Sequence, residues 1–144
     1  MTFNRILIAV DDEPVAAHAV EIGIALAHSL HANAALIHVM ERPVPVGADI
    51  GVPPAELGSH TRSEGRRLLS GVRHRLSLRP VVQEFLESGN PSAEIVKAAK
   101  TWPADPIVVG SHGRGGMERI FMGSVAELVM RHAPCPVLVV RAPV

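Results

Sequence analysis

Ile6-Leu7-Ile8-Ala9-Val10-Asp11-Asp12-Glu13-Pro14 is the stretch that decides the class of fold. Its apolar run is rich in β-branched residues and shows no polar alternation. A strand built from it needs cover on both faces, as in a parallel sheet. The run stops at three acids and a proline. Pro14 fits the first turn of a helix, and the helix dipole favours acids just before it. Further out, Val15, Ala19, Ile22, Leu26 and Leu30 recur at spacings of four and three, which predicts that they form the buried face of that helix. Ala34-Ala35-Leu36-Ile37-His38-Val39 reads as a second buried strand. A strand, a helix and a strand in succession imply parallel pairing.

The pattern continues along the chain. Residues 41–60 hold Pro43, Pro45, Pro53 and Pro54 with Gly47, Gly51 and Gly58, which predicts a long irregular segment, either a lid or a disordered linker. The next helix should turn Leu68, Leu69, Val72 and Leu76 inward and Arg62, Arg66, Arg67 and Arg73 outward. Val81-Val82-Gln83-Glu84-Phe85-Leu86 reads as a third strand. Asn90-Pro91 signals a cap and first turn, and Ile95, Val96 and Ala99 mark a short amphipathic helix that stops near Pro103. Ile107-Val108-Val109 is a fourth strand, running into a glycine-rich loop. Val125, Leu128, Val129 and His132 mark a last helix, and Val137-Leu138-Val139-Val140 a fifth strand. Strands alternating with helices give an open α/β sheet.

At 144 residues the chain has the length of one domain, 1–144, and can bury a core without staples. Hydrophobic residues make up 47% and charged residues 19%, which excludes a disordered chain. Fourteen basic residues balance fourteen acidic ones, leaving no net field to attract nucleic acid or an anionic membrane. Aromatics are 3%, too few to make stacking platforms for bases. The single cysteine, Cys135, fits a reducing compartment. The opening residues run straight into the first strand without a cleavage site or spanning segment, so a cytoplasmic protein is expected.

In an open parallel sheet, ligands bind beyond the carboxyl ends of the strands where the strand order reverses. The informative segment there is Gly110-Ser111-His112-Gly113-Arg114-Gly115-Gly116, followed after 117–122 by Gly123-Ser124-Val125-Ala126. Glycines let a ligand approach the backbone closely. Amides of Ser124, Val125 and Ala126 at a helix start favour an anion. The Ser124 hydroxyl can cap the helix or reach a phosphate oxygen or its metal. Arg114 and Arg119 add positive charge. A phosphate site is the natural reading.

The spacing Gly-x2-Gly-x9-Gly-Ser, filled by Gly110, Gly113, Gly123 and Ser124, resembles the ATP-binding subgroup of the universal stress protein family. The resemblance extends to Val10-Asp11 and to the close Cys135-Pro136-Val137-Leu138-Val139-Val140-Arg141. It implies an adenine nucleotide alpha hydrolase-like fold: an open five-stranded parallel sheet ordered 3-2-1-4-5, with helices on both faces and ATP between strands 1 and 4. It also implies that Asp11 and the Val39 region contact the adenosine and Gly110 the ribose side, with Val10, Val109 and Ser111 among the candidate binding residues. Gly113, Gly123, Ser124 and Val125 would contact the phosphates; His112 and Arg114 of the loop and the Ala126 amide are further candidates by position. Mg²⁺ would be held through those phosphates. The function implied is that of an ATP-binding stress-response regulator, homodimeric, with slow hydrolysis or none.

Other readings compete. Family members commonly carry a small residue and then Ser or Thr where Asp12 and Glu13 stand; these acids repel phosphates unless a cation intervenes, they point away, or affinity is low. They can equally be solvated partners of a helix dipole. Neither a Walker lysine nor a dinucleotide fingerprint is present. Hydrolysis would need a positioned nucleophile and concentrated charge, which this loop lacks. A dimeric scaffold without nucleotide and a nucleotide hydrolase or transferase are the alternatives. His28 and His31 share a helical face but lack a third metal ligand. Cys135 has no catalytic pairing and reads as inert. If the last strand lies at an edge, Val137 to Arg141 invites pairing with a second copy.

Overall fold

The unalternating run at 6–10 becomes the middle of a five-stranded sheet. The computed structural model describes residues 2–11, 14–41, 54–75, 81–111 and 123–141. In chain order they form β1 (Arg5–Ala9), α1 (Pro14–Leu30), β2 (Asn33–Met40), α2 (Pro54–Arg75), β3 (Val81–Ser88), α3 (Pro91–Thr101), β4 (Ile107–Gly110), α4 (Ser124–His132) and β5 (Val137–Val140). Every strand pairs in parallel, in the order β3-β2-β1-β4-β5. The order implied from the sequence is therefore the one observed.

Alternate residues of the central strands feed two separate cores. Ile6 and Ile8 join Leu36 and Val108 on one face, under Ala19, Val20 and Ile24 of α1 and Leu69 and Val72 of α2. Leu7 joins Ile37, Ile107 and Val109 on the other, under Ile95 and Ala99 of α3 and Ala126 and Val129 of α4. Each large side chain so buried contributes about 1.5–3 kcal/mol. This two-sided burial is why the strands carry apolar runs rather than alternation.

Two expectations need correction. Ile22 and Leu30 of α1 are 37% and 41% exposed; the buried face is Ala19, Val20, Gly23, Ile24 and Ala27. Both stripes have helical spacing, and the one with alanines and a glycine wins because it lets the helix axis settle close to the sheet. Residues 54–60, expected to be irregular, form the first turns of α2. The last helix marked by Val125, Leu128, Val129 and His132 is observed as α4, which buries Ala126 and Val129 and leaves Leu128 and His132 exposed. The side chain of Val15 and residue Leu76 lie outside the described residues, as do residues 42–53 of the segment 41–60 expected to be a lid or linker.

Capping follows the sequence closely at α3. The Asn90 side-chain oxygen accepts from the Ala93 amide at 3.1 Å and from the Ser92 hydroxyl at 2.8 Å. Pro91 then occupies the first turn. Such a cap contributes about 1 kcal/mol. Just before it, Gly89 sits at φ +142° and donates to the Met40 carbonyl at 2.9 Å, a backbone state that a side chain rarely adopts. Among the described residues, no helix is long and apolar enough to cross a membrane.

Candidate functional site

The strand order reverses between β1 and β4, and in such sheets a ligand crevice opens beyond the carboxyl ends of that pair. The register shows where the two strands part. β1 follows β2 as far as Ala9↔Ile37 but stays with β4 only to Ile8↔Val108. β4 continues instead alongside β5 to Gly110↔Val140. The ends of β1 and β4 are thus drawn toward opposite neighbours.

Ser111 ties the β4 side together. Its N–H donates to the Val140 carbonyl at 2.8 Å, and its own carbonyl accepts the N–H of Gly123. The chain therefore leaves β4 and enters α4 at one hydrogen-bonded point. Gly123 is the N-cap residue, at φ −60° and ψ 153°, with no side-chain cap. The first intrahelical bond runs from Glu127 N–H to the Gly123 carbonyl at 3.0 Å. The amides of Ser124, Val125 and Ala126 consequently have no acceptor within the helix, and the helix dipole makes this end electropositive. Ser124 was expected to be able to cap α4; it is instead the first helical residue, and it is exposed. Ala126 is buried in the core beside Val129. The one acid of the first turn, Glu127, pairs with Arg131 at 2.9 Å, on the turn farther from the helix start.

On the β1 side, the Val10 side chain is buried in the core under α1 and α2. Its N–H donates to the Ile37 carbonyl at 2.8 Å, and its carbonyl lies 2.8 Å from Nδ1 of His38. Asp11, half-buried, follows directly at the mouth of the crevice. Val39 is half-buried against the opposite core, and Val109 is fully buried there. Gly110 is half-buried. The candidate residues of both strand ends and of the α4 start are thus grouped at the carboxyl edge of the sheet. His112, Gly113 and Arg114 lie outside the described residues, as do Asp12, Glu13 and Arg119.

Residues 2–141 match the Universal stress protein family. The chain belongs to that family. Universal stress protein MJ0531 of Methanocaldococcus jannaschii is 37% identical, across 98% of this chain and 84% of its own length. Universal stress protein YxiE of Bacillus subtilis is 30% identical, across 96% and 99%. Among solved structures, hypothetical protein MJ0577, the subject of a structure-based assignment of biochemical function, superposes with a TM-score of 0.85. Its sequence identity is 26%, over 100% of this chain and 99% of that one.

Several features of this family member stand apart from the crevice. An open groove of about 550 Å³ lies between α2 and β3, at the outer edge of the sheet, with Arg62 and Arg66 facing Glu84 and Glu87. Its charges offset one another, and Glu84 also pairs with Arg73 at 3.4 Å. His31 does not share a helical face with His28: α1 ends at Leu30 and His31 turns the chain at φ 53°. Among the described residues, no cluster of three His, Cys, Asp or Glu could hold a metal ion. Burial pushes the Cys135 thiol above its ordinary range, and the Asp105 carboxylate pushes it further. It stays protonated at neutral pH and is a poor nucleophile. Among the described residues at the site, His38 was assigned no role by sequence reasoning. Its only signal there is a polar ring inside an apolar strand.

Proposed function

We propose that this chain binds ATP in the crevice between β1 and β4 and works as a cytoplasmic stress-response regulator. The observation that carries the reading is the start of α4: three successive amides without helical acceptors, no capping side chain, and a glycine where the backbone demands none. A helix N-terminus of nine residues opening on a switch-point crevice is suited to a polyphosphate. Gly123, Ser124, Val125 and the Ala126 amide, with Gly113 and Arg114 of the loop and His112 beside them, would hold the phosphates and, through them, Mg²⁺. Asp11 and the Val10 and Val39 backbone would meet the adenosine, with Val109, Gly110 and Ser111 toward the ribose. When bound, the nucleotide supplies a charged ligand whose presence alters the protein surface; no residue at the crevice is assigned to hydrolysis.

Calorimetry with ATP in the presence of Mg²⁺ tests this directly. Saturable heat at micromolar to submillimolar ATP is expected. No heat from ATP, ADP or AMP at millimolar concentration would overturn the reading.

The same reading includes a homodimer through the edge strand. Among the described residues β5 is the outermost strand, Leu138 on it is 39% exposed, and an edge strand offers its outer backbone groups to a partner. A two-fold partner would pair Val137 to Arg141 with its own copy. Sedimentation at micromolar concentration should show twice the chain mass, and Leu138→Glu should shift it to the monomer. A wild-type monomer at that concentration would remove the dimer from the proposal.

A further inference from the structure

His38 stands on β2, on the face covered by α1 and α2, yet its ring reaches sideways to β1. Nδ1 lies 2.8 Å from the Val10 carbonyl oxygen. A carbonyl only accepts, so Nδ1 carries the proton and donates it. Val10 thereby has both backbone groups fixed by β2: its N–H by the Ile37 carbonyl and its C=O by the His38 ring. This happens one residue past the end of β1, where ladder bonding gives out.

The ring is held from its other side as well. Gly65 of α2 is buried so close that a Cβ there would stand 3.2 Å from His38 Cδ2 and 2.6 Å from Leu86 Cδ1. Helix α2 therefore rests on the ring with no side chain between them. His38 is a spacer with one face against a helix and one nitrogen on the last peptide of β1.

That peptide is the one that launches Asp11. No cis peptide bond occurs among the described residues, and a trans peptide unit is planar, with its C=O and N–H on opposite sides. With the Val10 carbonyl turned to β2, the Asp11 N–H is turned from β2 toward the β4 side of β1, where the crevice opens. The bond to His38 thus sets the direction in which residue 11 presents its backbone and, with it, the start of its side chain.

We propose that His38 is a positioning residue for the crevice, fixing the Val10–Asp11 peptide so that Asp11 faces the nucleoside half of a bound nucleotide. This rests on the reading of the crevice as an ATP site and adds a residue outside the ligand's own contacts. It predicts a split between the two halves of the ligand, because the phosphate half is built on α4 and does not depend on His38.

Two variants test it. His38→Leu keeps apolar bulk under α2 and removes the donor. His38→Asn places a side-chain N–H₂ close to where Nδ1–H stood. Calorimetry with Mg²⁺ should show ATP weakened about tenfold by His38→Leu, the worth of one well-placed hydrogen bond. Inorganic tripolyphosphate should bind that variant as it binds wild type, and His38→Asn should hold ATP within about threefold of wild type. In ligand-free protein, amide exchange followed by NMR should be faster at Asp11 in His38→Leu and unchanged in His38→Asn. Equal weakening of ATP and tripolyphosphate, no recovery in His38→Asn, or an unaltered Asp11 amide in His38→Leu would each overturn the proposal. If wild type binds no nucleotide at all, the ATP reading of the crevice falls by itself. The exchange result then still decides whether His38 holds Asp11 in place.

Discussion

The Gly123→Val variant should keep its fold and lose more than a hundredfold in ATP affinity. Two facts separate the fold from the binding. Gly123 lies at φ −60° and ψ 153°, extended backbone that valine adopts readily, so no backbone strain follows. Its N–H, which donates to the Ser111 carbonyl, and its C=O, which accepts from Glu127, are both retained. What changes is the space in front of the helix. An isopropyl group at the N-cap stands over the amides of Ser124, Val125 and Ala126 and keeps an anion from reaching them. Hydrogen bonds to a charged group contribute about 1.5–3 kcal/mol each, so losing two removes about 3 kcal/mol or more, over a hundredfold in affinity. The measurement is calorimetry alongside circular dichroism and thermal unfolding. An unfolded variant would mean that Gly123 serves the fold, and unchanged ATP affinity would mean that the α4 start is not the phosphate site.

The strands were legible because of what a parallel sheet demands. Runs at 6–10 and 107–109, and 34–39 apart from His38, feed the cores on both faces of the sheet, so they are apolar rather than alternating. The turn into α3 was equally open to reading, since Asn90 and Pro91 act locally and need no tertiary partner. Helix α2 was cut short for the opposite reason. Pro54 is itself a good first residue for a helix, but the prolines and glycines before it, and Gly58 after it, masked that signal. At the site, Gly123-Ser124-Val125 announced a helix start from sequence, whereas which residue caps the helix depended on where the chain turns from Ser111. His38 could not be assigned at all. Its role exists only because β1 and β2 lie side by side at Val10, a fact of register rather than of pattern.

The face of α1 is the clearest case in which packing overruled periodicity, and it carries the second large effect. The Gly23→Val variant should be destabilised by about 2 kcal/mol, since forcing extra carbons into a filled core costs about 1–3 kcal/mol. A Cβ at Gly23 would stand 2.8 Å from both Cγ1 and Cδ1 of Ile8. Ile8 is fully buried in the central strand, between Leu36 and Val108 in the same core, and has little room to retreat. Replacing a helical glycine returns part of the loss, since glycine in a helix costs up to about 1 kcal/mol against alanine and somewhat less against valine. The net figure therefore falls at the lower side of the clash itself, still a shift of roughly 5–10 °C in the unfolding midpoint. Gly23→Ala should show the same sign with a smaller shift, because its single carbon meets Ile8 but regains the most helix propensity. Combining Gly23→Val with Ile8→Ala decides the mechanism. If the clash is with Ile8, the double variant should be more stable than the two separate losses add up to, by about 1 kcal/mol or more. Strict additivity would place the obstruction elsewhere, and a wild-type midpoint for Gly23→Val would show that α1 does not rest on Ile8 at all.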